Sequence, residues 1–464
     1  MNLPRHLQRL FAVAWLTVKT ALRLRVVIAL AVLLLLCVGL LPFFIKHNGT
    51  ARMFTQVLLT YSLYLCTGLL GLATLWIACG THATDVDPGQ LQLLAVKPAA
   101  RWQIWLGRWM GVMTLNVALL ALAGGVACGM LRWEARKLAP EQQQLLAREV
   151  LVARGSASEP PIDLEADVEK VFARRSQEEN LLELDPAMVR REIRGALRAR
   201  QETIGPNYRR IWDIDLAVQR ARLAGQPLHL RVKFHTASLK NDISYQTVWV
   251  IGQIESGRFA RIPKQLTSMV FHEFVIPPDL FSPDGKLHIE CENRDPMTLL
   301  FPLAEGLEVL FPEGSFAANY CRALLVLLCW IALLAAVGLT ASSFLSFIVA
   351  ALFAMTLLLV CLSGDTFGSV LEDGTLLGVD HETGVANSRT LDGIALPVYG
   401  ALHGITQSLQ SVSPIELLSA GRTITWRQLA VAVSRIVLLA GGVTAMLGVF
   451  IFNRRELARE QVAA

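Results

Sequence analysis

The chain has 464 residues, of which 53% are hydrophobic and 17% charged, against about 25% charged in ordinary soluble domains. With a mean hydropathy of +0.45, this composition excludes an ordinary water-soluble enzyme and points to a lipid bilayer. The net charge of +5 does not indicate nucleic acid, because much of the cationic charge flanks apolar runs, where Lys and Arg anchor the cytoplasmic side of membrane proteins.

Residues 4–24 read as an amphipathic helix. Leu7, Leu10, Phe11, Ala14, Val18 and Leu22 recur at helical spacing, while Arg5, Arg9, Lys19 and Arg23 take other positions. Such a helix lies in the membrane interface. Apolar runs follow near residues 26–45, 54–79, 108–131, 317–340, 343–363 and 428–452. Each has roughly the 20 apolar residues needed to cross a hydrocarbon core about 30 Å thick, so six spans are expected. The first run follows a basic segment but exceeds a signal-peptide core and lacks a small-x-small cleavage site; it reads as an uncleaved helix.

Orientation comes from short basic flanks. Arg5, Arg9, Lys19, Arg23 and Arg25 precede the first span, Lys97, Arg101 and Arg108 lie between the second and third, and Arg454, Arg455 and Arg459 follow the last. Six spans put all three flanks on one side, the cytoplasm, and both termini with them. The long segment 132–316 then lies outside, in the periplasm if the membrane is a bacterial inner one. Four parts are expected: 1–131 with the interfacial helix and spans one to three, a helical part at 132–225, a β-sandwich at 226–316, and 317–464 with spans four to six, an outer loop at 364–427 and a basic cytoplasmic tail. The fold class is thus an all-α membrane domain joined to an α+β extracytoplasmic domain.

Within the outer segment, Asp185-Pro186 is a helix-start signal. In Leu228-His229-Leu230-Arg231-Val232-Lys233-Phe234, apolar and basic residues alternate as in a half-buried strand. Residues 245–254, 269–276 and 286–293 are further strand candidates, with Asp284-Gly285 as a hairpin turn before the last. Several short strands in succession suggest an antiparallel sandwich. Only Cys291 of the eight cysteines sits well inside this segment, so it holds no internal disulfide and the cysteines do not report the redox compartment. A turn around Ala341-Ser342-Ser343 joins spans four and five, and residues 395–412 are apolar enough to dip into the membrane as a re-entrant helix.

The most informative stretch is Thr84 to Arg101. Asp85 and Asp87-Pro88-Gly89 make a turn or helix start. Leu91, Leu94 and Ala95 give a short apolar face, and Lys97-Pro98 ends the helix. An apolar face offered to the cytoplasm between two spans suits a docking protein, or it tethers the chain to the interface. This segment, the N-terminal interfacial helix, the Ser-Ser turn and the ending Phe452-Asn453-Arg454-Arg455-Glu456-Leu457 together resemble type-2 ABC exporter permeases, most nearly the copper-enzyme-maturation permeases with six spans. The resemblance covers everything except the outer insert. It implies that 84–101 is a coupling helix seated on a separate ABC ATPase subunit, which would hold ATP and Mg, and that the permease works as a homodimer or paired with a second permease. The substrate and the direction of movement do not follow from it.

No G-x-x-x-x-G-K-[ST] phosphate loop occurs, so this chain has no cradle for a triphosphate and is not expected to be an enzyme. Catalytic and metal readings are weak. His272-Glu273 begins a zinc-protease pattern, but position 276 is Ile and the context is a strand. His288, Glu290 and Glu292 share one strand face and suit either a metal or simple solvation. Asn48-Gly49-Thr50 matches a glycosylation sequon, a triplet that also occurs often by chance. Arg435 falls inside the last apolar run; an intramembrane arginine marks a functional site, unless the span begins later and the side chain snorkels to the interface. The rival to a permease is a membrane-anchored sensor or binding protein whose outer domain recognises a ligand or partner protein; an ATPase co-purifying with the chain separates the two.

Overall fold

The structure, a computed structural model, describes residues 4–23, 26–44, 51–86, 100–146, 151–160, 163–178, 186–217, 223, 226, 228–238, 243–253, 257–277, 280, 284–303, 305–373, 389–410 and 413–454. These residues fall into two compact units, Met1–Val152 with Ser315–Ala464, and Ala153–Gly314.

The first unit is helical. Its elements are α1 (Arg5–Arg23), α2 (Val26–Phe44), α3 (Ala51–Val86), α4 (Arg101–Ala135) and α5 (Pro140–Leu145), then α8 (Phe316–Ser342), α9 (Phe347–Leu362), α10 (Gly364–Asp373), α11 (Arg389–Gln410), α12 (Pro414–Ser419) and α13 (Trp426–Arg454). Each apolar run of the sequence falls largely in one of these helices, the run at 343–363 in α9, which begins only at Phe347. Four of them are long and apolar enough to cross a membrane: Thr55–Thr81, Arg101–Ala135, Phe316–Ser342 and Trp426–Arg454. The count of six spans is not reached on length alone. α1 and α2 meet at a 68° bend and make at most one broken span, and the apolar stretch Phe347–Cys361 is a shorter helix.

α1 forms where its periodicity places it, but it packs lengthwise on α4. The cause is a pair of glycines one turn apart in α4. A Cβ on Gly107 would stand 2.7 Å from Val13 Cβ, and one on Gly111 would stand 2.7 Å from the Ala14 carbonyl oxygen. Small residues at this spacing let two helix backbones approach closely. Leu10, Ala14, Thr17, Val18 and Ala21 are buried by this docking, while Phe11, Trp15 and Leu22 stay exposed on an adjacent apolar face. Gly338 in α8 plays the same part toward α3, with a Cβ there 2.8 Å from Ala78 Cβ. The turn between α8 and α9 is as short as its serines suggest: Ser342 and Ser343 donate their hydroxyls to the Leu339 carbonyl at 3.0 and 2.9 Å, satisfying an acceptor that the helix end would orphan. The apolar part of the 364–427 loop folds as α11 with Pro397 inside it, held to α10 by an edge contact between Phe367 and Tyr399.

The second unit is a sandwich with a helical pair. Strand β1 (Val152–Ala157) precedes helices α6 (Glu165–Glu178) and α7 (Pro186–Glu202). Then come β2 (Thr203–Ile204), β3 (Arg209–Asp215), β4 (Leu228–Val232), β5 (Ser244–Gln253), β6 (Arg258–Thr267), β7 (His272–Ile276), β8 (Lys286–Asn293), β9 (Leu299–Leu300) and β10 (Leu307–Ser315). One sheet has the order β1-β10-β4-β7, the other β3-β8-β5-β6, and β2 pairs with β9. The stretch 132–225, expected to be helical, therefore also supplies β1, β2 and β3. The expected hairpin at Asp284-Gly285 is corrected too. β7 and β8 lie in different sheets, so this turn is a crossover, with Gly285 at φ +76° and closely packed on Ala217.

Inner faces of both sheets share one core. Trp212 and Trp249 stack with centroids 6.1 Å apart, and each packs edge-on to Phe301. Trp249 also reaches Phe274 of the opposite sheet, and its indole N–H is satisfied by Thr247 Oγ1 at 3.0 Å. Aromatic pairs of this kind contribute about 0.5–1.5 kcal/mol beyond the area they bury. α6 and α7 zip together around Val168, Val189 and Ile193, with Arg190 on Glu169 and Arg194 on Glu165, each at 2.8 Å.

Candidate functional site

Of the expected docking segment, Asp85 lies near the end of α3 and Arg101 opens α4. Asp87, Gly89, Leu91, Leu94, Lys97 and Pro98 lie outside the described residues. The segment's exit is well placed. Ala100 is extended, and Gln103, three residues on, turns its Oε1 back to accept the Ala100 amide at 3.1 Å. That is one half of a capping box; alanine has no side-chain acceptor to supply the other. The amide orientation this requires aims Gln103 Nε2 at His6 Nδ1, 3.0 Å away in α1, so Nδ1 is the acceptor of that bond.

Arg101 reaches the far end of the chain. Its Nη1 donates to the carbonyls of Phe452 at 2.8 Å and Asn453 at 2.6 Å, and its guanidinium lies 5.9 Å from the Phe452 ring. The last carbonyls of a helix have no intrahelical partner and carry the negative end of its dipole. An arginine there meets both needs with charge-assisted bonds. About one turn earlier in α13, Gly448 receives the buried Trp105 indole: a Cβ would stand 2.8 Å from Trp105 Nε1 and 2.6 Å from Thr340 Oγ1. Thr340 in turn donates to the Thr444 carbonyl at 2.9 Å. Thus the start of α1, the start of α4, the end of α8 and the end of α13 meet at one end of the bundle. Sequence reasoning found Arg101 and the Phe452-Asn453 ending separately and had no means of joining them. It passed over Gln103, which was legible as an amide at the third helical position.

Arg435 lies exposed in a nine-residue π-helical stretch, Val433–Gly441, inside α13. No hydrogen bond or ion pair connects it to another described residue. Deeper in the bundle, Asn116 is buried beside Thr74, whose hydroxyl lies 2.6 Å from the Leu70 carbonyl and 3.0 Å from Asn116 Oδ1. One hydroxyl hydrogen cannot serve both acceptors, so the Asn116 amide is turned with its nitrogen toward Thr74.

In the sandwich, the zinc-protease pattern dissolves. His272 binds the Thr267 carbonyl at 2.8 Å, and Glu273 pairs with Arg154 and, at 3.4 Å, with His229. Arg231 meets Glu308 at 3.2 Å on the same sheet face. Glu290 is engaged by Arg209, and Glu292 by Arg261 and Arg294, while His288 faces Asp213. Among the described residues no cluster of three or more His, Cys, Asp or Glu is arranged to hold a metal ion. Burial, followed by the Glu292 and Glu290 charges, raises the Cys291 thiol pKa well above its ordinary value. Desolvation lowers that of the Arg210 guanidinium against the pull of Glu159. Compared with protein-family models, curated proteins and solved structures, the chain matches none of them.

Proposed function

We propose that this chain is the membrane-spanning permease subunit of a type-2 ABC complex. A separate ATPase subunit docks on the link 84–101, and hydrolysis there drives export or transmits mechanical work to the extracytoplasmic sandwich. The observation that carries this reading is the junction at the exit of the link. Arg101 and Gln103 join it directly to the last helix and to α1, so a protein seated on the link acts on two further elements at once.

Six crossings and a cytoplasmic link belong to the same reading, and the helix ends support them. Arg101 and Asn453 meet at one end of the bundle, and Ala78 and Leu339 share a cluster with Trp105 there. At the other end, Asn319 holds Arg422 and Ile424, and Leu58 and Leu59 share a core with Ile415 and Leu418. α3, α4, α8 and α13 thus each run from end to end. On this reading the chain between Ser343 and Arg422 crosses once more, through α9, and the chain between His6 and the start of α3 crosses through α1 and α2. Arg5, Arg9, Arg101, Arg108 and Arg454 gather toward the common end, which the charge rule assigns to the cytoplasm.

Co-purification tests the function. Burying Leu91 and Leu94 in a partner groove contributes about 1.5–3 kcal/mol per leucine, so Leu91→Glu with Leu94→Glu weakens docking by about two to four powers of ten. Membrane expression is expected to stay near normal while the ATPase and its transport-linked hydrolysis are lost. Retention of the ATPase at normal stoichiometry makes the link an interfacial tether and removes the main support for this function.

A further inference from the structure

The grip of Arg101 on α13 coincides with two peculiarities of that helix. First, α13 is the least packed of the four long helices: 17% of its most apolar window is buried, against 44–56% in the other three. A helix with few neighbours moves at low cost. Second, its middle is π-helical over Val433–Gly441. π-Turns are rare, occur mostly as single bulges and concentrate at functional sites, and they are among the few places where a helix bends sharply. A change of hydrogen-bond register across this stretch rotates everything beyond it, including the Phe452 and Asn453 carbonyls that Arg101 holds. The grip itself is directional. One Nη1 gives its two hydrogens to two successive carbonyls, so α13 cannot turn about its axis or slide past Arg101 without breaking a charge-assisted bond.

We infer that Arg101 is a positioning residue that passes displacement of the 87–99 link to α13, with Val433–Gly441 as the place where that helix yields. This rests on the reading that the link receives a partner. It is tested on the full-length protein in lipid nanodiscs, in a cysteine-free background carrying Gln92→Cys, before and after attachment of a bulky polyethylene glycol maleimide that displaces the link. The readout is amide hydrogen exchange across 433–454. The attached polymer is expected to change exchange over 433–441 when Arg101 is present. That response is expected to shrink with Arg101→Lys, which keeps the charge but not the fork, and to be lost with Arg101→Gln. A merely structural cap would alter exchange of the last turn in all states and leave the response to the polymer unchanged. Unaltered exchange over Phe316–Ser342 reports that each variant is folded; should Arg101→Gln fail that control, Arg101→Lys carries the test. A response undiminished in the folded variants, or absent in the parent, overturns the inference. Because the assay contains no ATPase, a chain that binds none yet shows the Arg101-dependent response keeps the joint and loses only the proposed function.

Discussion

Gly107→Ala and Gly111→Ala each add one methyl group where α1 lies on α4, and both signs of effect have to be weighed. Alanine is favoured over glycine inside a helix by about 1 kcal/mol. Against that, the new Cβ at position 111 would stand 2.7 Å from the Ala14 carbonyl oxygen and 2.7 Å from Thr17 Cβ. A carbonyl oxygen moves only with its helix, so relief requires α1 to back away, and overpacking of this kind costs about 1–3 kcal/mol. Position 107 is slightly more forgiving, because its closest contacts are the Val13 side chain and the Leu10 carbonyl is at 3.1 Å. A net loss of about 1–2 kcal/mol at position 111 shifts the docked-to-undocked ratio of α1 by about five- to thirty-fold. The same helix supplies its own controls: a Cβ on Gly125 or Gly129 meets nothing within 4 Å, so alanine there should be neutral or stabilising. Thermal stability of the purified protein and amide hydrogen exchange over Arg5–Arg23 report the outcome. Gly111→Ala is expected to melt lower and to exchange faster there, with Gly129→Ala melting at or above the parent. Parallel behaviour of the two variants would refute the close-approach argument.

Three other expectations follow from the sandwich and the basic flanks. Residues 153–314 expressed alone should show mixed helix and sheet by circular dichroism, and Trp249→Ala, which empties the shared aromatic core, should cost about 3–5 kcal/mol in urea unfolding; a coil spectrum, or a loss below 1 kcal/mol, contradicts a sandwich built on that core. The hydrogen bond from Arg194 lowers the Glu165 pKa below the ordinary carboxylate value, so this pairing is fully present above the unfolded carboxylate pKa and is lost as pH falls through the lower folded value. Ellipticity of the isolated unit should therefore hold from neutral pH into the carboxylate range and then fall, with a smaller step in the Glu165→Gln chain; an equal step there assigns it to other acids. For topology, single cysteines replacing Ser238 and Ser388 should react with an impermeant thiol reagent in intact cells, and one replacing Ala463 only once the membrane is opened; labelling of the last in intact cells rules out a cytoplasmic chain end.

In the sandwich, strands were legible where the alternation was clean and hidden where position in the sheet relaxed it. β4, β5, β7 and β8 carry inward-facing apolar residues at period two and stand out. β6 does not, because Arg258, Arg261, Pro263 and Lys264 interrupt it. It lies at the edge of its sheet, where proline and cations are tolerated and guard against strand addition. β1 is obscured for a packing reason. Its Val-Ala-Arg-Gly-Ser-Ala sequence has poor strand propensity, yet Gly155 is required because a Cβ there would stand 2.4 Å from the Phe311 ring. Tertiary fit overrides local preference at that point, and no reading of 152–157 in isolation could find it.

In the helical unit the apolar runs gave the helices but not the neighbours, and the proposed function depends on neighbours. Basic residues at 5–25, 101–108 and 454 point to one side of a membrane through a statistical rule about loops. The contacts of Arg101 with Phe452 and Asn453, and of Gln103 with His6, bring the first turn of α1, the start of α4 and the end of α13 together by hydrogen bonds, an independent kind of observation; Lys19 and Arg23 lie further along α1, away from that end. The proposed six crossings require a 16-residue α9 to belong to one of them. Its length of about 24 Å falls short of a full hydrocarbon core of about 30 Å, but α8 ends beside Thr444 and Gly448 of α13, while the segment that precedes α13 begins beside Asn319 at the opposite end. The chain has to return between those points, and α10 starts two residues after α9 ends. Span-counting by hydropathy treats each helix separately and cannot register this constraint; pairing the helix ends does.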